Sequence, residues 1–404
     1  MTVHFSLLLL RIFFCVVACG LAFFGLYLFF LSLLAAFGQK RLSQPGGEGY
    51  EPAKLAIVIP AHNESDVIER SLQSLTGLEY RKEAFQVFVI ADNCTDETAT
   101  LARENGATVF ERNVPDLRGK GYAIAWFLER MTDLEEWEAL VFIDADSIVS
   151  PNLLTAFSNR LRAGATALQA RYSVVSKRRS PLEALMYLAF SLKCYLRPLA
   201  RSRLGWSVGL HGNGMCLSTS LLKALPWEAF CLTEDVEYGL RLLEMGHRVE
   251  FAPEATVWSE MPSRPQRARG QHLRWESGRL QLARRLLPRL IALSIRRRDP
   301  AFLDAAIELA MPPLASLVVG QVALAVIAFF LPSLRALVWI PLIGLVGEAV
   351  HILVGLLLIK APLALWLALF WGPLYAVWQT SIYAAAAVKG KTLGWISTPR
   401  QDSN

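Results

Sequence analysis

Three stretches of this 404-residue chain contain no Asp, Glu, Lys or Arg: 12–39, 309–334 and 361–388. A fourth, 336–359, carries only Glu348. As a helix the first would run about 42 Å, against a bilayer hydrocarbon core of roughly 30 Å, so part of the chain belongs in lipid. Composition agrees: 53% of residues are apolar and 19% charged, where a soluble domain carries about 25% charged. A disordered, collagen-like or simple cytosolic protein is excluded. So is a disulfide scaffold, because six Cys in 404 residues are sparse. Cys15 and Cys19 lie in the first apolar stretch, Cys94, Cys194, Cys216 and Cys231 are scattered, and no Cys-x-x-Cys occurs, so inert thiols are expected. The first stretch reads as a retained anchor. Its uncharged run exceeds the roughly 7–15 residues of a signal core, and no convincing Ala-x-Ala site follows.

From Lys40 to about Asp304 the chain is rich in charge, a length able to bury one substantial core. The net charge is +6, but residues 264–298 hold eleven Arg against one acid, Glu276. This basic belt precedes the second apolar stretch, where the positive-inside rule puts it on the cytoplasmic face against anionic lipid. It does not point to nucleic acid. Lys40 and Arg41 agree weakly with a cytosolic middle. An anchor and three C-terminal spans would leave the tail outside, yet Lys389, Lys391 and Arg400 favour a cytosolic tail. Either 361–388, broken at Pro373, lies partly in the interface or another segment does not span. The expected organisation is an anchor over 1–40, a linker over 41–53 (low-complexity at Pro45–Gly49), a folded domain over 54–290, membrane helices over 300–390 and a tail over 391–404.

Within the folded part, Leu55–Pro60 reads as a buried strand, followed by a helix with Ile68, Leu72 and Leu75 inward and Ser65 or Asp66 as N-cap. Gln86–Ala91, Ala107–Glu111 and Ala139–Ile143 read as three more strands, with helices to about Asn105 (Gly106 closing it) and over Gly121–Met131. Strand, loop and helix repeating predicts a parallel α/β sheet, whose ligands bind beyond the carboxyl ends of the strands. His62, Asn63 and Glu64, then Asp92, then Asp144 and Asp146 cluster at those ends. Asp144-Ala-Asp146 puts two hard oxygen donors on one side of an extended chain, suited to Mg²⁺ or Mn²⁺ shared with a diphosphate. Ser150-Pro151 is expected to start the next helix, so neither Asp is needed as its cap. The absence of Gly-x-x-x-x-Gly-Lys, and of Gly-x-Gly-x-x-Gly after the first strand, argues against a P-loop NTPase and a dinucleotide oxidoreductase.

Thr233-Glu234-Asp235 precedes an amphipathic helix, where such a triplet serves either as a cap with acids favourable to the helix dipole or as a general base. Gln271, Arg274 and Trp275 fall on one helical face and offer an amide, a guanidinium able to bridge phosphate oxygens and a flat ring for a sugar. His62 is expected to orient a loop rather than bind metal. Gly209, Gly212 and Gly214 flank His211 and Asn213, as an acceptor approach or as an ordinary turn. Pro181–Arg203 reads as a helix lying on the membrane surface. Glu348 and His351 share a face inside the 336–359 stretch and are expected to satisfy one another.

Together, Val58-Ile59-Pro60-Ala61-His62-Asn63-Glu64, Ala91-Asp92-Asn93-Cys94-Thr95-Asp96, the Asp-x-Asp pair, Thr-Glu-Asp and Gln-x-x-Arg-Trp resemble, in order, the family-2 glycosyltransferases. The likeness is to their membrane-embedded branch of cellulose, chitin and hyaluronan synthase type, and spans roughly 54–290. It implies an α/β, Rossmann-like GT-A domain between an N-terminal and several C-terminal transmembrane helices. By that resemblance Glu64 and Asp92 hold the uracil and ribose of a UDP-sugar, Lys120 lies near the nucleotide, and Asp144 contacts nucleotide and metal. Asp146 ligates Mg²⁺ or Mn²⁺ directly. Asp235, beside Glu234, is the catalytic base, and Gln271, Arg274 and Trp275 frame the diphosphate and acceptor. One departure is Ala91, where many members have a first Asp of a pair; it weakens the uracil assignment. The implied activity is inverting transfer from a UDP-sugar to a glycan or lipid acceptor, by a multi-pass inner-membrane enzyme with its catalytic domain cytosolic. Processive synthesis and single addition to lipid both remain open. Four apolar segments make a thin channel wall unless subunits associate as a homo-oligomer. The competing classes are a catalytically silent scaffold retaining a nucleotide-sugar domain, and a transporter, which has no need of a large soluble insert with metal-site acids.

Overall fold

The computed structural model describes residues 2–38, 51–175, 180–260 and 265–389. Lys40, Arg41, Pro45–Gly49, Arg264 and the tail 391–404 lie outside the described residues. The described residues form two compact units, one with residues 2–38, 180–200 and 283–389, the other with 51–175 and 201–282. The continuous domain expected over 54–290 is therefore interrupted. Residues 180–200 belong with the apolar helices, because Leu185, Leu188, Leu192 and Leu196 are buried there.

The second unit is built on one eight-stranded sheet. Its strands are β1 (Leu55–Ala61), β2 (Phe85–Asp92), β3 (Thr108–Arg112), β4 (Ala139–Phe142), β5 (Ser147–Val149), β6 (Ala167–Val175), β7 (Met215–Ser218) and β8 (Glu250–Glu260). The order is β3-β2-β1-β4-β7-β6-β8-β5. The first four are parallel, as the alternation of strands and helices predicts. β7 then runs antiparallel to β4 and β6, and β5 antiparallel to β8, so the whole is a mixed sheet. Leu55, Ile57, Ile59, Val89, Val141 and Phe142 are fully buried. These unbroken apolar runs suit strands covered on both faces.

Three local expectations are corrected. Neither Ser65 nor Asp66 caps the first crossover helix, Ile68–Thr76; the Glu64 carbonyl accepts from the Val67 and Ile68 amides at 3.0 and 2.9 Å, replacing a side-chain cap. The helix after Asp146 starts at Leu153 rather than at Ser150-Pro151, because Ser150 is tied to β8 by two hydrogen bonds with Thr256. The third strand and the helix Lys120–Arg130 are displaced by a residue from their expected bounds. Gly106 takes φ +82° just after the helix Thr98–Glu104, the left-handed closure its position suggests.

In the first unit, helix Thr2–Phe37 packs on helix Trp339–Leu358 at Gly25, Gly344 and Gly347, where any Cβ would collide with the facing backbone or with Gln321. Phe5–Phe37 and Arg335–Leu358 are long and apolar enough to cross a membrane, and Pro300–Ala310 with Leu314–Phe330 forms a third such segment bent by 74°. The 361–388 stretch is split into Leu363–Ala368 and Gly372–Lys389 by a 3-10 turn immediately before Gly372-Pro373. Glu348 and His351 do not satisfy one another. Gln321 Nε2 donates to Glu348 Oε1 at 2.5 Å, and His351 Nδ1 bonds Ser32 Oγ at 2.8 Å. Pro181–Arg203 is helical but interrupted by a π turn at Leu192–Leu196, and Arg197 within it is buried and paired with Glu308 at 2.9 Å.

Candidate active site

Because β1, β2 and β4 are parallel neighbours, their carboxyl ends, and the polar residues following them, share one edge of the sheet. The loops after β1 and β2 interlock. Asn63 Oδ1 accepts from the Thr95 amide at 2.8 Å, and Thr98 Oγ1 accepts from the Glu64 amide at 2.8 Å. Asn63 and Asn93 sit at φ +54° and +52°, a left-handed conformation that Asn tolerates better than most residues. His62 Nδ1 bonds the Asp92 carbonyl at 2.6 Å, an orienting contact.

Asp92 is buried at the end of β2 and paired with Arg112 at the end of β3, Nη1 to Oδ1 at 2.5 Å. Asn93 Nδ2 donates to the same oxygen at 2.8 Å. Burial pushes the Asp92 carboxyl up from its ordinary range, and Arg112 opposes that push. Arg112 belongs to no motif, so only the pairing of β2 with β3 brings it here.

After β4 the burial pattern alternates: Asp144, Asp146 and Ile148 are partly open while Ala145, Ser147 and Val149 are buried. The segment from Asp144 to Ser147 is a turn rather than the extended chain expected, closed by the Ser147 amide donating to the Asp144 carbonyl at 3.1 Å. Lys120 opens its helix and donates from Nζ to Asp144 Oδ1 at 2.5 Å and to the Gly212 carbonyl. Burial alone would lower the Lys120 ammonium, but Asp144, Glu234 and Asp235 together raise it. Gly212, at φ +77°, lies against Asp235: a Cβ there would stand 3.1 Å from Asp235 Oδ2. Asp144 and Asp235, 91 positions apart in the chain, thereby face one another across Lys120 and Gly212.

Three further side chains hold this arrangement. Asn213, fully buried, accepts from the Asp144 amide through Oδ1 at 3.1 Å and donates to Ser147 and Ser259 at 2.8 and 2.9 Å. Gln169 on β6, also fully buried, donates to the Asn213 carbonyl at 2.7 Å and accepts from the His211 amide at 2.9 Å. Tyr172 donates to Ser259 at 3.2 Å; burial first, then Asp144 and Asp146, drive its phenol well above the ordinary value. In the sequence Asn213 stands out only through its neighbouring glycines, and Gln169 and Tyr172 carry no motif at all.

Thr233 stands at the start of helix Glu234–Glu244 but makes no capping hydrogen bond, so the triplet is not a simple cap. Gly121 lets this segment approach, since a Cβ there would meet the Ala229 carbonyl and Glu234 Cβ. Burial and the neighbouring Asp235 push the Glu234 carboxyl up to about 8. Across from it, on helix Pro265–Arg297, burial lowers the Arg274 guanidinium while Glu234 and Asp144 act to raise it, so Arg274 shares the field of both acids. Gln271 Oε1, one turn earlier, is buried without a hydrogen-bond partner among the described residues. Trp275 packs edge-on to His272 at 5.4 Å. No group of three or more His, Cys, Asp or Glu forms a complete metal cage among the described residues. Asp144 and Asp146 as paired oxygen donors fit a divalent ion that completes its shell with a bound diphosphate.

The model of the family described as "glycosyltransferase like family 2" matches residues 52–278, more than half of the chain. The chain belongs to glycosyltransferase family 2. The probable glycosyltransferase YdaM of Bacillus subtilis is 25% identical over 61% of this chain and 60% of its own length. The poly-beta-1,6-N-acetyl-D-glucosamine synthase of Staphylococcus aureus is 23% identical over 55% of this chain and 54% of its own. The chain thus matches somewhat over half the length of these relatives. The mannosyltransferase PcManGT of Pyrobaculum calidifontis, solved with GDP-Man and Mn2+, aligns over 95% of this chain and 99% of its own with a TM-score of 0.61 at 18% identity. The fold of this family-2 enzyme is GT-A, a mixed sheet flanked by helices.

Proposed function

We propose that the chain is a membrane-bound inverting glycosyltransferase that moves a sugar from a UDP-sugar to a glycan or lipid hydroxyl, with Asp235 as the base. The convergence of Asp144 and Asp235 through Lys120 and Gly212 carries this reading, because it sets a donor-side carboxylate and a candidate base at one place. Asp235 removes the proton of the acceptor hydroxyl as its oxygen bonds to the anomeric carbon. The bond from that carbon to the diphosphate breaks, and UDP leaves from the opposite face. One displacement inverts configuration, giving a β-linkage from an α-linked donor. Arg274, Lys120 and Gln271 would orient and neutralise the diphosphate, and Trp275 would supply the acceptor's stacking surface. A divalent ion held by Asp144 and Asp146 would supply further charge neutralisation when bound.

The uridine assignment draws on Asp92. Its Oδ1 already accepts from Arg112 and Asn93, leaving one carboxylate oxygen for a base. Uracil presents a single imide N–H, whereas guanine presents an N–H and an amino group that together favour two oxygens. UDP binding in preference to GDP would support it, and the reverse would overturn it. Asp235→Asn is expected to retain UDP binding while transfer falls by about 10²–10⁴, the usual worth of a positioned general base. Unchanged turnover removes Asp235 from the role.

Membrane attachment through Phe5–Phe37 and Arg335–Leu358, with the arginine belt on the cytosolic side, completes the reading. Among the described residues, two to three candidate spans form a small apolar unit, which favours single addition to a lipid acceptor over a processive synthase. Product length on a gel separates the two.

A further inference from the structure

Inside the apolar unit, Glu348 on helix Trp339–Leu358 and Gln321 on helix Leu314–Phe330 are buried to 1% and 0% exposure. Gln321 Nε2 donates to Glu348 Oε1 at 2.5 Å and to the Leu21 carbonyl at 3.5 Å. Two acceptors on the nitrogen fix which way the carboxamide points, and Oε1 is its other end. The packing is shaped around that amide: a Cβ on Gly344, one turn before Glu348, would collide with the Gln321 carboxamide. Gln321 Oε1 and Glu348 Oε2 are left buried, without a hydrogen-bond partner among the described residues.

Both orphaned atoms are oxygens, and they belong to one hydrogen-bonded pair. No Lys or Arg among the described residues forms an ion pair with Glu348. On the elements packed around it, Arg11 donates to the Ser333 carbonyl, Tyr27 to Asp304 and Arg197 to Glu308, while Lys193 is exposed. His351, one turn on, is engaged with Ser32. Ser32 Oγ donates its one proton to the Leu28 carbonyl at 2.7 Å, so it accepts from His351 Nδ1. A carboxylate enclosed by apolar helices needs a positive charge or a proton; a water molecule bonds its oxygens without neutralising it. One carboxylate and one amide together carry a single negative charge, which matches a monovalent ion with hard oxygen ligands.

We propose that Gln321 Oε1 and Glu348 Oε2 are ligands of a Na⁺ ion held between the apolar helices, in competition with a proton on Glu348. This rests on reading those helices as embedded in a bilayer. The test uses dicyclohexylcarbodiimide, an apolar reagent that adds covalently to protonated carboxyls, on the full chain purified in detergent. Peptide mass spectrometry locates the label. In choline chloride the wild type is expected to be labelled at Glu348. Na⁺ at about ten times its dissociation constant should slow that labelling about tenfold, and lower pH should reverse the protection. The wild-type Tm should be higher in NaCl than in choline chloride at equal ionic strength, a difference that Glu348→Gln loses. Gln321→Ala should still be labelled at Glu348 but need far more Na⁺ for protection. Should either variant fail to fold, the wild-type labelling series still decides. No labelling at Glu348, labelling indifferent to Na⁺, or one Tm in both salts overturns the proposal, and wild-type protection in Gln321→Ala removes Gln321 from the site. Release of the wild type from membranes without detergent would overturn the membrane reading, whatever the labelling shows.

Discussion

Lys120 Nζ lies 2.5 Å from Asp144 Oδ1 and also donates to the Gly212 carbonyl, so one ammonium ties the acid after β4 to the glycine that faces Asp235. Asp144, Glu234 and Asp235 all raise its basicity. Lys120→Met is therefore expected to weaken UDP binding by about tenfold or more, with Lys120→Arg restoring part of it. Calorimetric titration of UDP into both variants checks this; wild-type affinity in the methionine variant would remove Lys120 from donor binding.

Asp144 and Asp146 should make donor binding depend on a divalent ion. Chelation is expected to abolish UDP binding, and added Mn²⁺ or Mg²⁺ to restore it. Asp146→Asn should need far more metal for the same occupancy. Metal-independent UDP binding would refute the pairing.

Glu234 gives a pH signature. Its carboxyl stands near 8 rather than at the usual 4.5, so it is protonated at neutral pH. Its stabilising share is complete below about 4.5 and is lost as the pH climbs through 8. Above 8 an additional negative charge appears beside Asp235, and it repels the donor diphosphate. The donor KM should rise on that alkaline limb in the wild type and stay flat in Glu234→Gln. A parallel rise in both proteins would assign the limb to another group.

Asn213 holds the Asp144 amide, Ser147 and Ser259 together in a fully buried position. Asn213→Ala leaves those groups without their partner, an expected loss of about 1–3 kcal/mol. Thermal unfolding would report it, and turnover should fall further than stability because the Asp144 backbone is released. A Tm unchanged within a degree would contradict the network.

The parallel half of the sheet was readable because each strand is a short apolar run followed by a helix at a steady interval. The acids after β1, β2 and β4 were readable for the same reason, since parallel strands bring their ends to one edge. β5, β6 and β8 left no comparable trace: Ser147–Val149 is three residues long, and β6 and β8 pair across most of the unit with a register shift after Ala170. The caps misled because Ser65 and Ser150 have good capping chemistry, but the Ser65 amide bonds Asp96 and Ser150 pairs with Thr256 on β8. Local propensity cannot register such bonds.

What the chain order alone determined is the periodic and the contiguous: uncharged runs long enough for lipid, strands that alternate with helices, and acids at strand ends. Tertiary structure alone decided which distant groups meet. Arg112 reaches Asp92, Lys120 links Asp144 to Gly212, Gln169 steadies Asn213, and Glu348 finds Gln321 instead of His351. A helix or strand is set by neighbours a few residues away. A salt bridge or a buried amide contact is set by packing between segments whose separation along the chain says nothing about their separation in space.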